Sequence, residues 1–127
     1  MKPSGKPAGG QHLSAINGNY GSNYANSVSG LRDANLRIRA VDSNTANANS
    51  DGFSPDRIDS QAEKTGGVGG KASQASLSLI RDKSTLSQTD YATESTNLIL
   101  ARRVFSANLK ALQAQRQADE AILNTVG

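Results

Sequence analysis

From Thr89 to Val126 the chain contains neither glycine nor proline, and no other stretch limits the fold so strongly. An uninterrupted run of this length predicts one helix over 88–126, because the usual helix breakers are missing. At 1.5 Å per residue, about 36 residues make a rod of roughly 54 Å. A chain of 127 residues and 13.3 kDa is one small domain at most, and a domain of that size does not cover such a rod by itself. The helix needs a partner along its length. Tyr91, Leu98, Phe105, Leu112 and Val126 fall on one heptad position, and Leu109 and Leu123 on another. Ser95, Arg102, Arg116 and Asp119 interrupt that seam, so a free two-stranded coil of this helix alone would be weak. Ser87, Thr89 or Asp90 supplies the N-cap oxygen, and Glu94 sits near the positive end of the helix dipole.

A second amphipathic helix is expected over 24–48. Tyr24, Val28, Leu31, Ile38, Val41 and Thr45 recur at steps of 3, 4 and 7, with Asn35 in the missing position, which makes one apolar stripe. Arg32, Arg37 and Arg39, with Asp33 and Asp42, read as a solvated opposite face. Ser50-Asp51-Gly52-Phe53-Ser54-Pro55 ends the helix, since Asp-Gly favours a turn and Pro55 pushes the preceding residue out of the helical region. This helix is expected to pack antiparallel or obliquely on part of the C-terminal one, leaving the rest to neighbouring subunits. Residues 1–23 are rich in Gly, Ser and Asn and read as a flexible tail, although Leu13, Ile16 and Tyr20 are spaced for a short helical face. Over 49–86 the signals are mixed: an alternating stretch at Phe53–Ile58, the Gly66–Gly70 run and a second candidate strand at Ala75–Ile80 fit a hairpin across a glycine loop or an unstructured loop. The fold class is therefore mainly α: long N- and C-terminal helices in a coiled-coil-like core, a short central loop or β-hairpin, and a flexible N-terminal tail in front of a single domain over 24–127.

Composition excludes several functions. Only 35% of the residues are apolar and 4% aromatic, with no Cys, no Trp and one His, so a zinc cluster, a thiol nucleophile and a deep dry pocket are not expected. His12 lacks an apolar anchor, Asp119 and Glu120 do not share a helix face, and Gly66–Gly70 is not followed by the Lys-Ser or Lys-Thr of a phosphate loop. We therefore expect no enzyme and no catalytic, metal or cofactor-binding residues. Arg102, Arg103, Lys110 and Arg116 are diluted by Glu94, Asp119 and Glu120 and have no interleaved aromatics, which argues against nucleic acid. The apolar runs are too short to span a bilayer, the C-terminal helix is too poor in Trp, Phe and Leu for interfacial insertion, and no signal peptide is recognisable. A protein partner is the expectation that remains.

Two segments resemble a known family. Ser29-Gly30-Leu31-Arg32-Asp33-Ala34-Asn35, followed by Ser43-Asn44-Thr45-Ala46-Asn47-Ala48-Asn49-Ser50-Asp51-Gly52-Phe53, resembles the N-terminal signature of bacterial flagellar rod and hook proteins, an SGL helix running into NNIANANTDGF. Ala92-Thr93-Glu94, then Asn97 through Asn108, Leu112 and Asp119-Glu120-Ala121-Ile122-Leu123, resembles the matching C-terminal signature. The resemblance covers residues 27–58 and 88–126, in the right order. It implies a structural, rod-type subunit of the flagellar basal body, exported without a cleaved signal peptide by the flagellar type III apparatus. Its implied partners are that apparatus, other rod and hook axial proteins and itself, with no cofactor. The short middle leaves no room for the surface domains of hook or distal rod proteins. Expected at subunit interfaces are Leu31, Ile38, Val41, Asn44, Asn47 and Phe53 in the first segment and Leu98, Phe105, Leu109, Leu112 and Leu123 in the second. The asparagines would satisfy backbone groups where subunits meet, and Phe53 would enter a neighbour's surface. Thr45 replaces the usual Ile, and Ser95-Thr96 a normally apolar pair; both are expected to weaken the packing of the two helices. The alternative implied by these departures is a diverged rod paralogue that does not polymerise and acts as a binding or export-regulating module.

Overall fold

The glycine- and proline-free run is helical from its third residue on, as α2 (Tyr91–Val126). The computed structural model describes residues 9–74, 87 and 89–126. Before α2 come α1 (Gly9–Ala46), β1 (Asp56–Ala62) and β2 (Val68–Gln74). Asp90 is the N-cap of α2: its Oδ1 accepts the Ala92 N–H at 2.9 Å and its Oδ2 accepts the Thr93 hydroxyl at 2.9 Å. Two otherwise unpaired groups of the first turn are thereby satisfied.

The first helix is longer than the sequence pattern implied. It begins at Gly9, not Tyr24, so residues 9–23, expected as flexible tail, continue α1. Nucleation is the costly step of helix formation, and each residue added afterwards contributes a hydrogen bond. The helix therefore extends back through Gly18 and Gly21 despite a cost of about 1 kcal/mol at each. Residues 1–8 of the expected tail lie outside the described residues. The other end of α1 follows expectation closely. Asn47 caps it, its Nδ2 donating to the Ser43 carbonyl at 2.9 Å, and successive turns carry the chain through Gly52, with φ of 69°, to the buried Pro55.

The central segment is a hairpin, displaced from its expected place. β1 and β2 pair antiparallel with Asp56 opposite Gln74 and Ala62 opposite Val68. The turn lies at Glu63–Gly67, where Gly66 and Gly67 have positive φ and the Gly66 N–H bonds the Glu63 carbonyl at 3.0 Å. Gly69 and Gly70, expected in the loop, belong to β2. The strand lies against α1, and a Cβ on Gly70 would stand 2.5 Å from Asp33 Oδ1; a small residue is required there by packing, which outweighs the weak strand preference of glycine. The expected strand Ala75–Ile80 lies outside the described residues.

The two helices run antiparallel, since Gly30 meets Asn108 while Val41 and Asn44 share a groove with Glu94 and Ala101. Their buried faces are not the apolar stripes. The buried residues of α1 are Ser27, Gly30, Asp33, Ala34, Ala40, Val41 and Asn44, and those of α2 are Glu94 and Ala101. Half-buried Leu98, Phe105, Asn108, Leu112 and Gln115 continue the α2 seam. The expected second heptad position, carrying Leu109 and Leu123, is thus replaced by the one carrying Glu94, Ala101, Asn108 and Gln115. Small side chains explain the shift: a Cβ on Gly30 would stand 2.6 Å from Asn108 Oδ1, and only Gly, Ala and Ser let the backbones come so near. The displaced stripes are left at the margin. Ser95, Thr96, Arg102, Arg116, Asp119 and Thr45 are all exposed, so the residues expected to interrupt or weaken the helix pairing do not enter it.

Two outcomes follow from this packing. Replacing Gly30 with Leu should force α1 and α2 apart and cost about 1 to 3 kcal/mol, read as a fall in the thermal midpoint of the helical signal. The Asp90 carboxyl is held below its ordinary value of 3.8, first by the Thr93 hydroxyl and then by the Ala92 and Thr93 N–H groups. Because the folded-state value is the lower one, the cap's contribution is fully present above 3.8 and is lost as the pH falls below it. The helicity difference between the native chain and Asp90→Ala should shrink in that acid range, and a difference unchanged by pH would contradict the cap.

Candidate assembly interface

Ser29, Asp33 and Arg37, at steps of four along α1, face the hairpin, and each is polar. Ser29 Oγ accepts the Val68 N–H at 3.1 Å, and its own hydroxyl donates to the Asn26 carbonyl at 2.8 Å. One turn on, the buried Asp33 accepts from Arg37 Nε at 3.1 Å and from the Ser60 hydroxyl, while Arg37 Nη2 donates to Ser60 Oγ at 2.5 Å. Further along the same face, Asn44 is 1% exposed; its Nδ2 donates to the Asp56 carbonyl at 3.0 Å, and its Oδ1 accepts the Asp56 N–H at 2.7 Å. One amide side chain thus stands in for the missing strand neighbour at the start of β1. The hairpin is held by hydrogen bonds at its turn, middle and base.

This arrangement corrects the reading of Asp33 and Arg37 as solvated. Arg32, Arg39 and Asp42 are exposed as expected, but Asp33 is buried and paired. The sequence signal was the Asp33–Arg37 spacing of four residues combined with Ser29 one turn before, a polar stripe parallel to the apolar one. The roles of the asparagines also change. Asn44 and Asn47 bond backbone groups of their own chain, Asn47 the Ser43 carbonyl and Asn44 the Asp56 backbone, which Pro55 and the turns after α1 bring back beside it.

At 3.6 residues per turn, Val28, Leu31 and Ile38 project on the side of α1 away from the hairpin bonds. All three are half-buried. Val28, Leu31 and Leu36 line a shallow open groove with Phe105 of α2, so apolar residues of both helices meet on one flank. Leu98 and Leu112 are half-buried on the same heptad position as Phe105, Leu109 is 42% exposed and Leu123 is 71% exposed. Val41 is buried within the chain and Phe53 is half-buried. Of the residues singled out in the sequence, Leu31 and Phe105 are brought together, Val41 and Asn44 are consumed internally, and Leu109 and Leu123 are left without cover. Gly30, Ala34 and Ala101, which set the helix spacing, were missed; their signal was the run of small residues at steps of three and four in Ser27, Gly30 and Ala34.

On the hairpin side, α1, β1 and α2 enclose a groove of about 350 Å³ lined by Ile58, Leu100, Val104, Asn44 and Glu94 among others. Among the described residues no cluster of side chains is arranged to hold a metal ion, and no helix is long and apolar enough to cross a membrane. No protein-family model matches the chain, and no curated protein is significantly similar to it.

Asn44→Ala should leave the Asp56 N–H and carbonyl without partners at a buried site, costing about 2 to 3 kcal/mol. Amide exchange at Asp56 and along β1 should accelerate more than exchange in the middle of α2; equal protection in the two chains would contradict the assigned role.

Proposed function

We propose that this chain is a structural subunit of the bacterial flagellar basal-body rod, one that assembles through helix–helix packing and transmits torque through the resulting contacts. The observation that carries the reading is the uncovered apolar flank. Val28, Leu31 and Leu36 with Phe105, and Leu109 and Leu123 further along α2, present apolar surface on two long helices without covering it. A rigid body with such a flank suits a role as a building block, since burial against neighbours is where its apolar surface contributes free energy.

The resemblance of the two chain ends supports the same reading. The segment Ser29–Asn35 packs on the segment Asn97–Asn108, with Gly30 against Asn108, so the two family-like signatures form one structural unit. Its neighbours in this reading are further copies, other rod and hook axial proteins and, before assembly, the type III export apparatus. Thr45, Ser95 and Thr96 are exposed, outside the packing of the two helices within the chain.

Mass spectrometry of purified hook-basal bodies from the source organism tests the assignment. Recovery in stoichiometric amounts is expected. Absence there, with the chain present in the cytoplasm, would overturn it in favour of a soluble binding or export-regulating module. Leu109→Asp sharpens the test, because Leu109 is already partly exposed: the variant should keep the helicity of the native chain yet be missing from basal bodies, as a charge buried in an intersubunit contact costs several kcal/mol.

A further inference from the structure

The sheet has two strands, so among the described residues β2 has no neighbour on its far side. In an antiparallel pair, alternate residues turn their N–H and C=O groups away from the partner strand. Val68 belongs to that outward set, since its N–H goes to Ser29 Oγ and not to β1. Asp56, opposite Gln74 on the other strand, belongs to it too and is held by Asn44. By alternation the next outward groups of β2 are those of Gly70 and Ala72, and among the described residues neither makes a backbone hydrogen bond beyond the hairpin. The usual protections of an edge are missing. β2 carries no proline, no bulge and a single charge, Lys71, while Gly69, Gly70 and Ala72 leave its backbone open.

The surface beside this edge decides what fits it. Leu36 of α1 lies next to Gly70 and is 39% exposed, so a strand laid along β2 would rest its inward side chains on an apolar group. A Cβ on Gly70 would point at α1, so Lys71 points the other way, outward from the sheet. Arg32 and Arg39 are exposed on the Leu36 side of α1. None of these three cations is in a salt bridge among the described residues, where the one such bridge joins Arg37 and Asp33. A second copy pairing through its own β2 would bring Lys71 and Arg32 of both chains to one seam, and like charges facing across strands are destabilising. We propose that the β2 edge binds an extended acidic segment of another protein as an added strand. Apolar side chains of that segment lie on Leu36, and its alternate carboxylates stand beside Lys71. Glu63 already covers Gly69 at the turn, so the acids belong toward Ala72. Main-chain bonds to Gly70 and Ala72 supply the affinity, and the alternation of apolar and acidic groups supplies the selectivity. This contact goes beyond the assembly reading and does not depend on it.

The probe is a short synthetic peptide in which valine alternates with glutamate, added to the full chain and followed by fluorescence anisotropy and amide exchange. It should bind and slow exchange at Gly70 and Ala72 while leaving the middle of α2 unchanged. The same peptide with methylated backbone nitrogens should not bind, because it lacks the donors an added strand needs. Ala72→Pro removes an outward N–H without touching a bond to β1 and is compatible with an edge strand. It should weaken binding about tenfold with an unchanged circular dichroism spectrum. Lys71→Glu with Arg32→Glu, both on the surface, should also weaken it about tenfold. No binding of the glutamate peptide would overturn the proposal, as would equal binding of a peptide with lysine in place of glutamate, or undiminished binding of the methylated one. Slow exchange at Gly70 and Ala72 in the dilute chain alone would mean that the edge is covered from within the chain, with the same consequence. A dimer by sedimentation that Ala72→Pro abolishes would give the edge to a second copy and overturn it too. Recovery in basal bodies is unaffected by the peptide measurements, so this inference and the assembly reading fail separately.

Discussion

The close approach of α1 and α2 through small side chains is the constraint on which the rest depends. Gly30 against Asn108, with Ala34 and Ala101 buried beside them, sets a helix spacing that larger residues would not allow. Close backbones bring van der Waals contact but little apolar area. Among the described residues the buried apolar set is Ala34, Ala40, Val41, Ala48 and Ala101, all small side chains that at about 0.8 kcal/mol per buried CH2 contribute little apolar burial. Direction and spacing are well specified.

The same packing determines where the larger apolar groups go. With the α1 side of the seam centred on Gly, Ala, Ser and Asn, the stripe containing Val28, Leu31 and Ile38 is turned to its margin, half-buried, and Leu98, Phe105 and Leu112 continue the α2 side, half-buried as well. On the other flank the hairpin is attached by polar groups: Ser29, the Asp33–Arg37–Ser60 cluster and Asn44. Such bonds contribute modestly to net stability but are geometrically demanding, because leaving one partner buried and unpaired is costly. They orient the hairpin on α1 and leave Val28, Leu31 and Phe105 of the apolar flank away from it, while Leu36 lies beside Gly70.

Much of this was legible from the sequence. The break-free run at Thr89–Val126, the Asp-Gly turn before Pro55 and the 3.6-residue pattern specify two helices and where the intervening segment begins, and the choice between loop and hairpin was left open. What was not legible depends on distance between elements. A hydrophobic stripe is assumed to mark the buried face, yet here the neighbouring row of small residues packs closer. Arg37 and Asp33 look solvated until Ser60, far along the chain, is brought beside them. Gly69 and Gly70 look like a loop until the strand is laid on Asp33. Among the interface candidates, Leu31 and Phe105 were placed together on one flank, whereas Asn44 is used by its own chain for a reason, the return of Asp56, that no local pattern carries.

In the proposed assembly the small-residue core defines the fold and neighbouring copies supply its stability. The direct measurement is the thermal unfolding midpoint of the purified chain, by circular dichroism, over about a hundredfold range of concentration with sedimentation velocity alongside. Binding between folded copies favours the folded state by mass action, so the midpoint should climb with concentration as larger species form. A sharp transition at one temperature throughout, in a chain that sediments as a monomer, would contradict the claim.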